Sequence, residues 1–305
     1  MILNSMHHLT RTQQFTRSSL DQLFALASKL EKEPDNSLKG KILAALFFEP
    51  STRTRLSFSS AMLRLGGSVI TMESGQASSQ AKGETLEDSI RVVSNYCDAI
   101  VMRHPEEGAA DRAAKVSKIP IINAGDGTGQ HPTQALLDLY TIQRELGRTD
   151  GINIAIVGNL KYYRAARSLS YLLGKFNDIH LTLVSAPELR IRDDIKAYLR
   201  KHKVTFEETD NMQAAMKTAD VIYQTRMQKE WMSPEEFKKN AGTYIITRKL
   251  ADSMKKGAII IHPLPRIGEI TDDVDTSPHA VYFKQVRYGL LVRMALLKTI
   301  LTKWK

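Results

Sequence analysis

The sequence predicts an α/β fold with parallel sheets, and two observations support this prediction. Short apolar runs of four to seven residues recur along the 305-residue chain, and longer amphipathic stretches separate them. Strands that alternate with helices form βαβ units, in which neighbouring strands run parallel and the crossovers are right-handed. We therefore expect two doubly wound domains, each with a mainly parallel sheet flanked by helices.

Eight apolar runs have the length and composition of strands. They are Ile42–Phe48, Ser68–Met72, Ala99–Arg103, Pro120–Asn123, Asn153–Val157, His180–Val184, Val221–Gln224 and Ala258–His262. Helical periodicity appears between several of them, over Thr85–Tyr96, Gln134–Leu146, Arg164–Lys175 and Met212–Ala219. Apolar residues also recur along Gln285–Lys305, which predicts one long helix at the end of the chain.

A polar, glycine-containing stretch marks the predicted domain boundary. The letters ELGRTDGIN, residues 145–153, lie between a long predicted helix and a new strand. We expect a first domain over 1–147, a second over 148–284 and the final helix over 285–305. The pattern alone leaves open which domain this helix packs on, and we expect it to return to the first.

Composition narrows the class of protein and its partners. A hydrophobic content of 42% and a charged content of 25% are typical of soluble globular proteins, and no apolar run approaches the ~20 residues of a membrane span. The single Cys97 excludes an internal disulfide framework, and the N-terminus shows no signal-peptide pattern, so we expect a cytoplasmic protein. The net charge of +10 suits either nucleic acid or a small polyanionic substrate. Because Lys and Arg are spread along the whole chain, a solvated basic surface is favoured over a nucleic-acid site.

The stretch FFEPSTRTRLSF, Phe47–Phe58, follows the first strand and is dense in hydrogen-bond donors. Ser51, Thr52, Arg53, Thr54 and Arg55 stand in a row where a helix is expected to begin. A capped helix with surface arginines would use one hydroxyl and one arginine of this set. The surplus donors favour an anion, since a helix N-terminus and the planar guanidinium both bind phosphate or carboxylate.

Other strands are also followed by cations and neutral donors. These residues are Arg103 and His104, His131 and Gln134, Arg164, Arg226 and Gln228, and Arg266. Taken singly, each is more often structural or solvated, but parallel strands would bring them to one edge of each sheet. The Walker loop, H-E-x-x-H and G-x-S-x-G motifs are absent, and the glycine spacing of Gly125–Gln130 does not match a dinucleotide loop. The set predicts a site that binds anions and polarises a carbonyl without a covalent intermediate.

The chain closely resembles the catalytic chains of the aspartate carbamoyltransferase family almost from end to end. The motifs that carry the resemblance are FFEPSTRTRLSF, KGETLEDS, IVMRHPEEGAA, NAGDGTGQHPTQALLDL, VGNLKYYRAARS, TRMQKE and HPLPRIGEI. The S-T-R-T-R element is shared with ornithine carbamoyltransferases, whereas KGET, HPTQ and HPLPR favour the aspartate branch. The resemblance implies transfer of the carbamoyl group of carbamoyl phosphate to L-aspartate, without a cofactor or metal, in pyrimidine synthesis.

The resemblance also implies a role for each site residue. Carbamoyl phosphate would be bound by Ser51, Thr52, Arg53, Thr54, Arg103, His131, Gln134, the backbone of Leu264 and Pro265, and Ser78 and Lys82 from a neighbouring subunit. Of these, Arg53, Thr54, Arg103, His131 and Gln134 would act in catalysis. L-Aspartate would be bound by Arg164, Arg226, Gln228 and the neighbour's Lys82. A homotrimer with shared active sites is therefore expected, and whether regulatory chains bind is left open.

Five positions depart from the family pattern without removing a residue assigned to chemistry. They are Ala81, Asn159, Tyr163, Gly268 and Tyr288. Asn159 stands where Asp is usual, which puts in question the polar contacts of the loop that follows. Two rival functions stay open at this point: a carbamoyltransferase with another amino-acid acceptor, and a basic nucleic-acid or nucleotide-binding protein. The second is disfavoured, because the aromatic content is 7% and no cluster of stacking aromatics appears.

Overall fold

The computed structural model describes residues 7–73 and 83–303, and all structural statements below concern this part of the chain. The chain forms two compact units, Met1–Leu136 with Arg287–Lys305, and Leu137–Val286. Both divisions fall inside helices. The domain limits expected from the sequence, 1–147, 148–284 and 285–305, stay a prediction.

The first unit contains a parallel four-stranded sheet in the order β2-β1-β3-β4. Its strands are β1 (Ile42–Phe47), β2 (Ser68–Glu73), β3 (Ala99–His104) and β4 (Ile121–Asp126). Its helices are α1 (Arg17–Lys32), α2 (Thr52–Arg64), α3 (Leu86–Val93), α4 (Ala109–Val116) and the first turn of α5 (Pro132–Leu146). Apolar side chains of β1, β3, α3 and α4 form one core cluster against this sheet.

The second unit contains a parallel five-stranded sheet in the order β7-β6-β5-β8-β9. Its strands are β5 (Asn153–Val157), β6 (His180–Val184), β7 (Thr205–Thr209), β8 (Val221–Gln224) and β9 (Ile259–Ile261). Its helices are α6 (Arg164–Leu173), α7 (Asp193–Lys201), α8 (Met212–Thr218), α9 (Pro234–Asn240) and α10 (Arg248–Ala251). A core cluster built from β5, β6, β8, α8, α10 and later segments packs on this sheet.

The last helix, α11 (Tyr282–Lys303), begins in the second unit and continues in the first. Within the first unit, Arg293 Nη1 donates to Ser57 Oγ of α2 at 2.9 Å. Lys298 also forms an ion pair with Asp35, which follows α1. The greater part of α11 is therefore held by polar contacts within the first unit.

In each sheet, an aspartate just before one strand binds the first N–H of the neighbouring strand. Asp98 precedes β3 and accepts hydrogen bonds from Ile42 N at 2.8 Å and Lys41 Nζ at 2.7 Å. Asp220 precedes β8 and accepts from Asn153 N, also at 2.8 Å. These carboxylates satisfy strand-end donors that no ladder partner reaches, so they fix where β1 and β5 begin.

The predicted α/β class with parallel sheets is confirmed, and most predicted strands match to within one residue at each end. The largest extension is β4, which continues to Asp126. The strand β7 was not predicted, because its letters TFEET contain one large apolar residue. It lies at the edge of its sheet, where one side of the strand has no neighbouring strand and its side chains need not be apolar.

We predict that Asp98→Ala lowers the free energy of unfolding by about 1–2 kcal/mol, because it leaves the Ile42 N–H without its acceptor. Urea unfolding of both proteins measures this difference. The control is Asp21→Ala, which removes an exposed helical ion pair with Arg17 and is expected to stay within about 0.5 kcal/mol of wild type. Equal stability of Asp98→Ala and wild type would contradict the role given to Asp98.

Candidate active site

The predicted anion-binding residues of the first unit lie at the carboxyl ends of three adjacent strands. Ser51 to Thr54 follow β1, Arg103 is the last residue but one of β3, and His131 follows β4. Because β1, β3 and β4 are neighbours in a parallel sheet, their carboxyl ends meet at one edge. The structure therefore brings these sequence-distant residues to the same edge of one sheet.

Ser51 is the residue at which helix α2 begins, and its side chain does not cap that helix. Its backbone is extended, with φ −158°, and its hydroxyl accepts a hydrogen bond from Arg103 Nη1 at 3.2 Å. Thr52 and Arg53 are exposed, whereas Thr54 is buried. No acidic residue occupies the first turn of the helix. The start of α2 thus offers backbone N–H groups, hydroxyls and a guanidinium to an anion.

Arg103 is oriented by two residues that follow β1. Its guanidinium donates to Ser51 Oγ and forms an ion pair with Glu49. The side chains of Arg103 and Glu49 are only 17% and 22% exposed. Since a largely buried charge loses much of its hydration, the loss of either partner would be costly and the pair holds Arg103 in one orientation.

His131 and Gln134 are both buried and lie at the start of α5. His131 immediately precedes Pro132, and its carbonyl accepts from Gln134 N at 3.0 Å. The hydroxyl of Thr133 lies 3.4 Å from His131 Nδ1. These contacts fix the turn with which α5 begins, directly after the loop that follows β4.

The glycine-rich loop after β4 approaches protein backbone closely. A Cβ atom on Gly127, whose φ is +47°, would lie 2.6 Å from Glu107 N and 2.7 Å from Pro105 O. The Asp126 carboxylate binds the loop internally, because it accepts from Gln130 N and Gly108 N, each at 2.9 Å. The glycines therefore allow this loop to pack closely against the segment that follows β3.

The predicted aspartate-binding residues lie at the carboxyl edge of the second sheet. Arg164 is the first residue of α6, which follows β5, and it is buried. Arg226 and Gln228 follow β8, the neighbour of β5. The Gln228 side chain is buried, and its Oε1 has no hydrogen-bond partner among the described residues.

Tyr163 lies within electrostatic range of both arginines. Burial raises the pKa of its hydroxyl, while Arg226 and Arg164 act in the opposite direction. The Arg226 guanidinium is itself bonded to Glu230, four residues further along the chain. The bulky side chain that departs from the family pattern is thus a neutral phenol beside the two cations.

Asn159, the other departure in this region, retains polar contacts with its loop. Its backbone N–H donates to Thr225 Oγ1 at 2.9 Å, and its Oδ1 accepts from Tyr162 N at 3.2 Å. Its Nδ2 is buried without a hydrogen-bond partner in the described chain. The amide therefore supports the loop after β5 through its oxygen, as a carboxylate would, and retains an unused donor.

Leu264 and Pro265 follow β9, next to β8 in the sheet, and are joined by a cis peptide bond. The Leu264 backbone N–H donates to His262 Nδ1 at 2.7 Å. Arg266 forms ion pairs with Asp272 and Asp275, so it stabilises its own loop. Ser78 and Lys82 lie outside the described residues.

Sequence reasoning missed the acids that contact the site arginines. Glu49 pairs with Arg103 and Glu230 pairs with Arg226, and neither acid was among the site residues predicted from the sequence. Arg226 and Glu230 are only four residues apart, a separation at which a local ion pair can form, although Arg226 precedes the short helical turn Lys229–Trp231. Glu49 gave no such local signal, since its partner is 54 residues away.

Two family models together match most of the chain. Residues 7–144 match the aspartate/ornithine carbamoyltransferase carbamoyl-P binding domain, and residues 150–300 match the Asp/Orn binding domain of the same family. The chain is also 51% identical over 304 residues to aspartate carbamoyltransferase 2, chloroplastic, of Pisum sativum, covering 97% of this chain and 79% of that protein.

The chain belongs to the aspartate/ornithine carbamoyltransferase family.

Members of this family with close similarity include archaeal and protozoan proteins. The aspartate carbamoyltransferase catalytic subunit of Methanocaldococcus jannaschii is 50% identical over 302 residues, covering 97% of this chain and 98% of that protein. A crystal form of that subunit superposes with a TM-score of 0.88 at 50% identity, covering 97% and 98% of the two chains. Aspartate transcarbamoylase of Trypanosoma cruzi, solved in complex with carbamoyl phosphate and aspartate, gives a TM-score of 0.92 at 40% identity, with 96% of each chain covered. The resemblance stated from the motifs is confirmed.

In the ranges 7–73 and 83–303, no group of three or more His, Cys, Asp and Glu side chains is arranged to hold a metal ion. In the same ranges, every helix is too short or too polar to cross a membrane.

We predict that Arg53→Ala weakens the binding of inorganic phosphate at least about tenfold, because charge-assisted hydrogen bonds at a helix N-terminus are strong. Isothermal titration calorimetry at fixed ionic strength measures this change. The matched control is Arg64→Ala, in the last turn of the same helix, which is expected to leave phosphate binding unchanged. Equal affinities for both variants would mean that phosphate does not bind at the start of α2.

Proposed function

We propose that the chain is an aspartate carbamoyltransferase. It transfers the carbamoyl group of carbamoyl phosphate to the amine of L-aspartate, giving N-carbamoyl-L-aspartate and phosphate in de novo pyrimidine biosynthesis, without a cofactor. The observation that carries the proposal is the edge of the first sheet, where the Arg103 guanidinium is bonded to Ser51 at the start of α2. An anion-binding helix start and a fixed cation at the same edge suit a phosphorylated carbonyl compound.

The contacts proposed for carbamoyl phosphate differ between its phosphate, its carbamoyl oxygen and its amide. Ser51, Thr52, Arg53 and Thr54 hold the phosphate through side chains and the N–H groups of the first helical turn. Thr54, Arg103 and His131 point at the carbamoyl oxygen, while Gln134 and the backbone of Leu264 and Pro265 bind the carbamoyl amide. These assignments rest on the family resemblance and are supported by the exposed donors at the start of α2 and by the fixed orientation of Arg103.

The reaction needs stabilisation of negative charge on the carbamoyl oxygen. As the aspartate amine attacks the carbamoyl carbon, a C–N bond forms and the C–O bond to phosphate breaks. Charge that develops on the oxygen is stabilised by Arg103, His131 and Thr54, as in an oxyanion hole. The departing phosphate accepts the proton released by the amine, so no protein base is required. Holding the two substrates in contact contributes much of the remaining acceleration.

L-Aspartate is bound by Arg164, Arg226 and Gln228 of the second unit. Two guanidiniums match the two carboxylates of a dicarboxylic amino acid, and Gln228 brings a buried acceptor suited to an ammonium or amine N–H. Since Arg226 is bonded to Glu230, a substrate carboxylate must share or replace this contact. The cationic side chain of ornithine would meet two arginines, which disfavours that acceptor.

The chemical product tests this function. Incubation of the protein with carbamoyl phosphate and either L-aspartate or L-ornithine, followed by mass spectrometry, is expected to yield N-carbamoyl-L-aspartate and at least about a hundredfold less citrulline. Citrulline as the main product would favour the alternative acceptor. Absence of either product, with carbamoyl phosphate consumed only by hydrolysis, would contradict carbamoyl transfer to an amino acid.

We also propose that the protein is a homotrimer whose active sites are shared between subunits. The resemblance implies that Ser78 and Lys82 enter the neighbouring site, where Lys82 contacts both anionic substrates. A cyclic head-to-tail interface allows each subunit to give one such loop and receive another. Whether regulatory chains bind is left open. The cytoplasmic location and the absence of nucleic-acid binding stay predictions. The plant relative named above is chloroplastic.

We predict that two inactive variants, Arg53→Ala and Lys82→Ala, restore activity when they are reassembled as an equal mixture. A working site needs Arg53 from its own subunit and Lys82 from the neighbour. Random assortment supplies this combination in roughly a quarter of sites, so about that fraction of wild-type activity is expected. Steady-state rates before and after reassembly give the measurement.

The control for this experiment is subunit exchange itself, followed by native mass spectrometry of isotopically labelled chains. If exchange is complete and the mixture stays as inactive as its parents, each site is complete within one chain. Lys82 would then act in its own subunit.

A further inference from the structure

A continuous chain of buried polar side chains runs through the second unit to the loop that follows β9. Its members, in order of contact, are Tyr223, Asp138, Gln285, His262 and Glu269. All five are buried, the most exposed being Glu269 at 8%. They come from β8, α5, α11 and the segment that begins directly after β9, so the contacts join three elements and one loop.

The first half of the chain has an unambiguous direction. The Tyr223 hydroxyl donates to Asp138 Oδ2 at 2.9 Å, and Gln285 Nε2 donates to Asp138 Oδ1 at 2.6 Å. The other end of the Gln285 amide, Oε1, accepts from the backbone N–H of His262 at 2.9 Å. Because a backbone N–H can only donate, this bond fixes which way the Gln285 amide faces.

The second half of the chain is fixed by two more backbone donors. Leu264 N donates to His262 Nδ1 at 2.7 Å, so the proton of a neutral imidazole must be on Nε2. His262 Nε2 then donates to Glu269 Oε1 at 2.7 Å, and Ile267 N donates to Glu269 Oε2 at 2.7 Å. Glu269 must therefore accept with both oxygens, as only a carboxylate can. Burial acts to raise the pKa of Glu269, but the hydrogen bonds that it accepts, first of all the one from His262 and also the one from the Ile267 N–H, outweigh burial and lower the pKa.

The loop held by these bonds has a backbone that needs support. Leu264 has φ +56°, a left-handed conformation that a branched residue rarely adopts. The N–H groups of Leu264 and Ile267, on either side of Pro265, are both satisfied by the chain. At the other end, Asp138 lies one helical turn after Gln134 in α5. The chain therefore links the helix that carries Gln134 to the backbone of residues 264–267.

We propose that this buried chain positions the acceptors of the carbamoyl amide. Under the proposed function, on which this inference rests, the backbone of Leu264 and Pro265 binds the amide of carbamoyl phosphate. None of the five side chains is assigned to substrate, so they are positioning residues that act through the loop. The buried polar chain holds the loop in the one conformation that presents its carbonyls. Binding of the substrate's phosphate group does not depend on this conformation.

The directions of the bonds predict that two isosteric substitutions differ. Glu269→Gln puts an NH₂ group against either Ile267 N–H or His262 Nε2–H, and neither contact can be repaired without losing another. Asp138→Asn keeps a hydrogen bond at both of its contacts, because the Tyr223 hydroxyl can turn and accept from the new NH₂ group. The acceptor is then lost by the Tyr223 O–H, at the opposite end of the chain from residues 264–267. Both substitutions remove one negative charge at nearly constant volume, but only Glu269→Gln sets two donors against each other beside the loop.

The experiment compares Glu269→Gln, Asp138→Asn and the wild type in the full-length protein. For each, kcat and KM for carbamoyl phosphate are measured at saturating L-aspartate, and the Kd of inorganic phosphate is measured by calorimetry. Glu269→Gln is expected to lower kcat/KM for carbamoyl phosphate at least about tenfold, the usual effect of a buried donor without an acceptor. Its phosphate Kd is expected to stay within about twofold of wild type, and Asp138→Asn is expected to lose less than about threefold in kcat/KM. The surface variant Glu33→Gln, at the exposed end of α1, serves as the unchanged control.

Three outcomes overturn the inference. A Glu269→Gln variant with wild-type kcat/KM would show that the loop keeps its conformation without the buried polar side chains. Equal weakening of phosphate and carbamoyl phosphate would assign the chain to folding of the protein as a whole. A wild-type protein that forms no N-carbamoyl-L-aspartate would overturn the proposed function and this inference with it, whereas an active wild type isolates the inference. If Glu269→Gln does not fold, Glu269→Asp replaces it, because it keeps both acceptors but shortens their reach, and the same pattern is expected at smaller size.

Discussion

Parallel pairing of β1, β3 and β4, and of β5, β8 and β9, is the constraint on which the candidate site depends. In a parallel sheet, each strand ends at the same edge, and the helix that follows begins there. Residues at these ends can be far apart in sequence and close in space: Ser51 and Arg103 are 52 positions apart, yet their side chains bond at 3.2 Å. Antiparallel pairing of β1 with β3 would place the same two motifs at opposite edges.

Acidic residues decide how the cations at these edges are held. Arg103 and Arg226 have long side chains that would lose conformational entropy on binding a ligand. Glu49 and Glu230 remove part of this cost in advance, since each fixes a guanidinium before any anion arrives. The Asp98 and Asp220 carboxylates act on the scaffold instead of the site, because they fix where β1 and β5 begin. The positions of the site arginines thus depend on carboxylates at the strand ends as well as on their own acidic partners.

The sequence predicted the parts of this protein in which local pattern and tertiary position agree. Buried parallel strands are nearly continuous apolar runs, so β5, β6 and β8 were predicted with their observed limits. The strand β7 has a mixed pattern because it lies at an edge, and it was missed. The donors at the start of α2 were found because they are adjacent in sequence. The partner of Arg103 and the chain from Tyr223 to Glu269 were not found, since bonds across tens of residues depend on packing that no local pattern records.

The pairing of Arg103 with Glu49 and of Arg226 with Glu230 has a consequence for selectivity. Each cation is already partly neutralised, so an incoming anion shares the guanidinium with an internal carboxylate instead of filling an empty positive field. Small ions such as chloride gain little from such sharing, because they bring charge but no matching pair of acceptor oxygens. A phosphate or a dicarboxylate brings both. The affinity of the site for its ligands should therefore fall less steeply with ionic strength than their formal charges alone suggest.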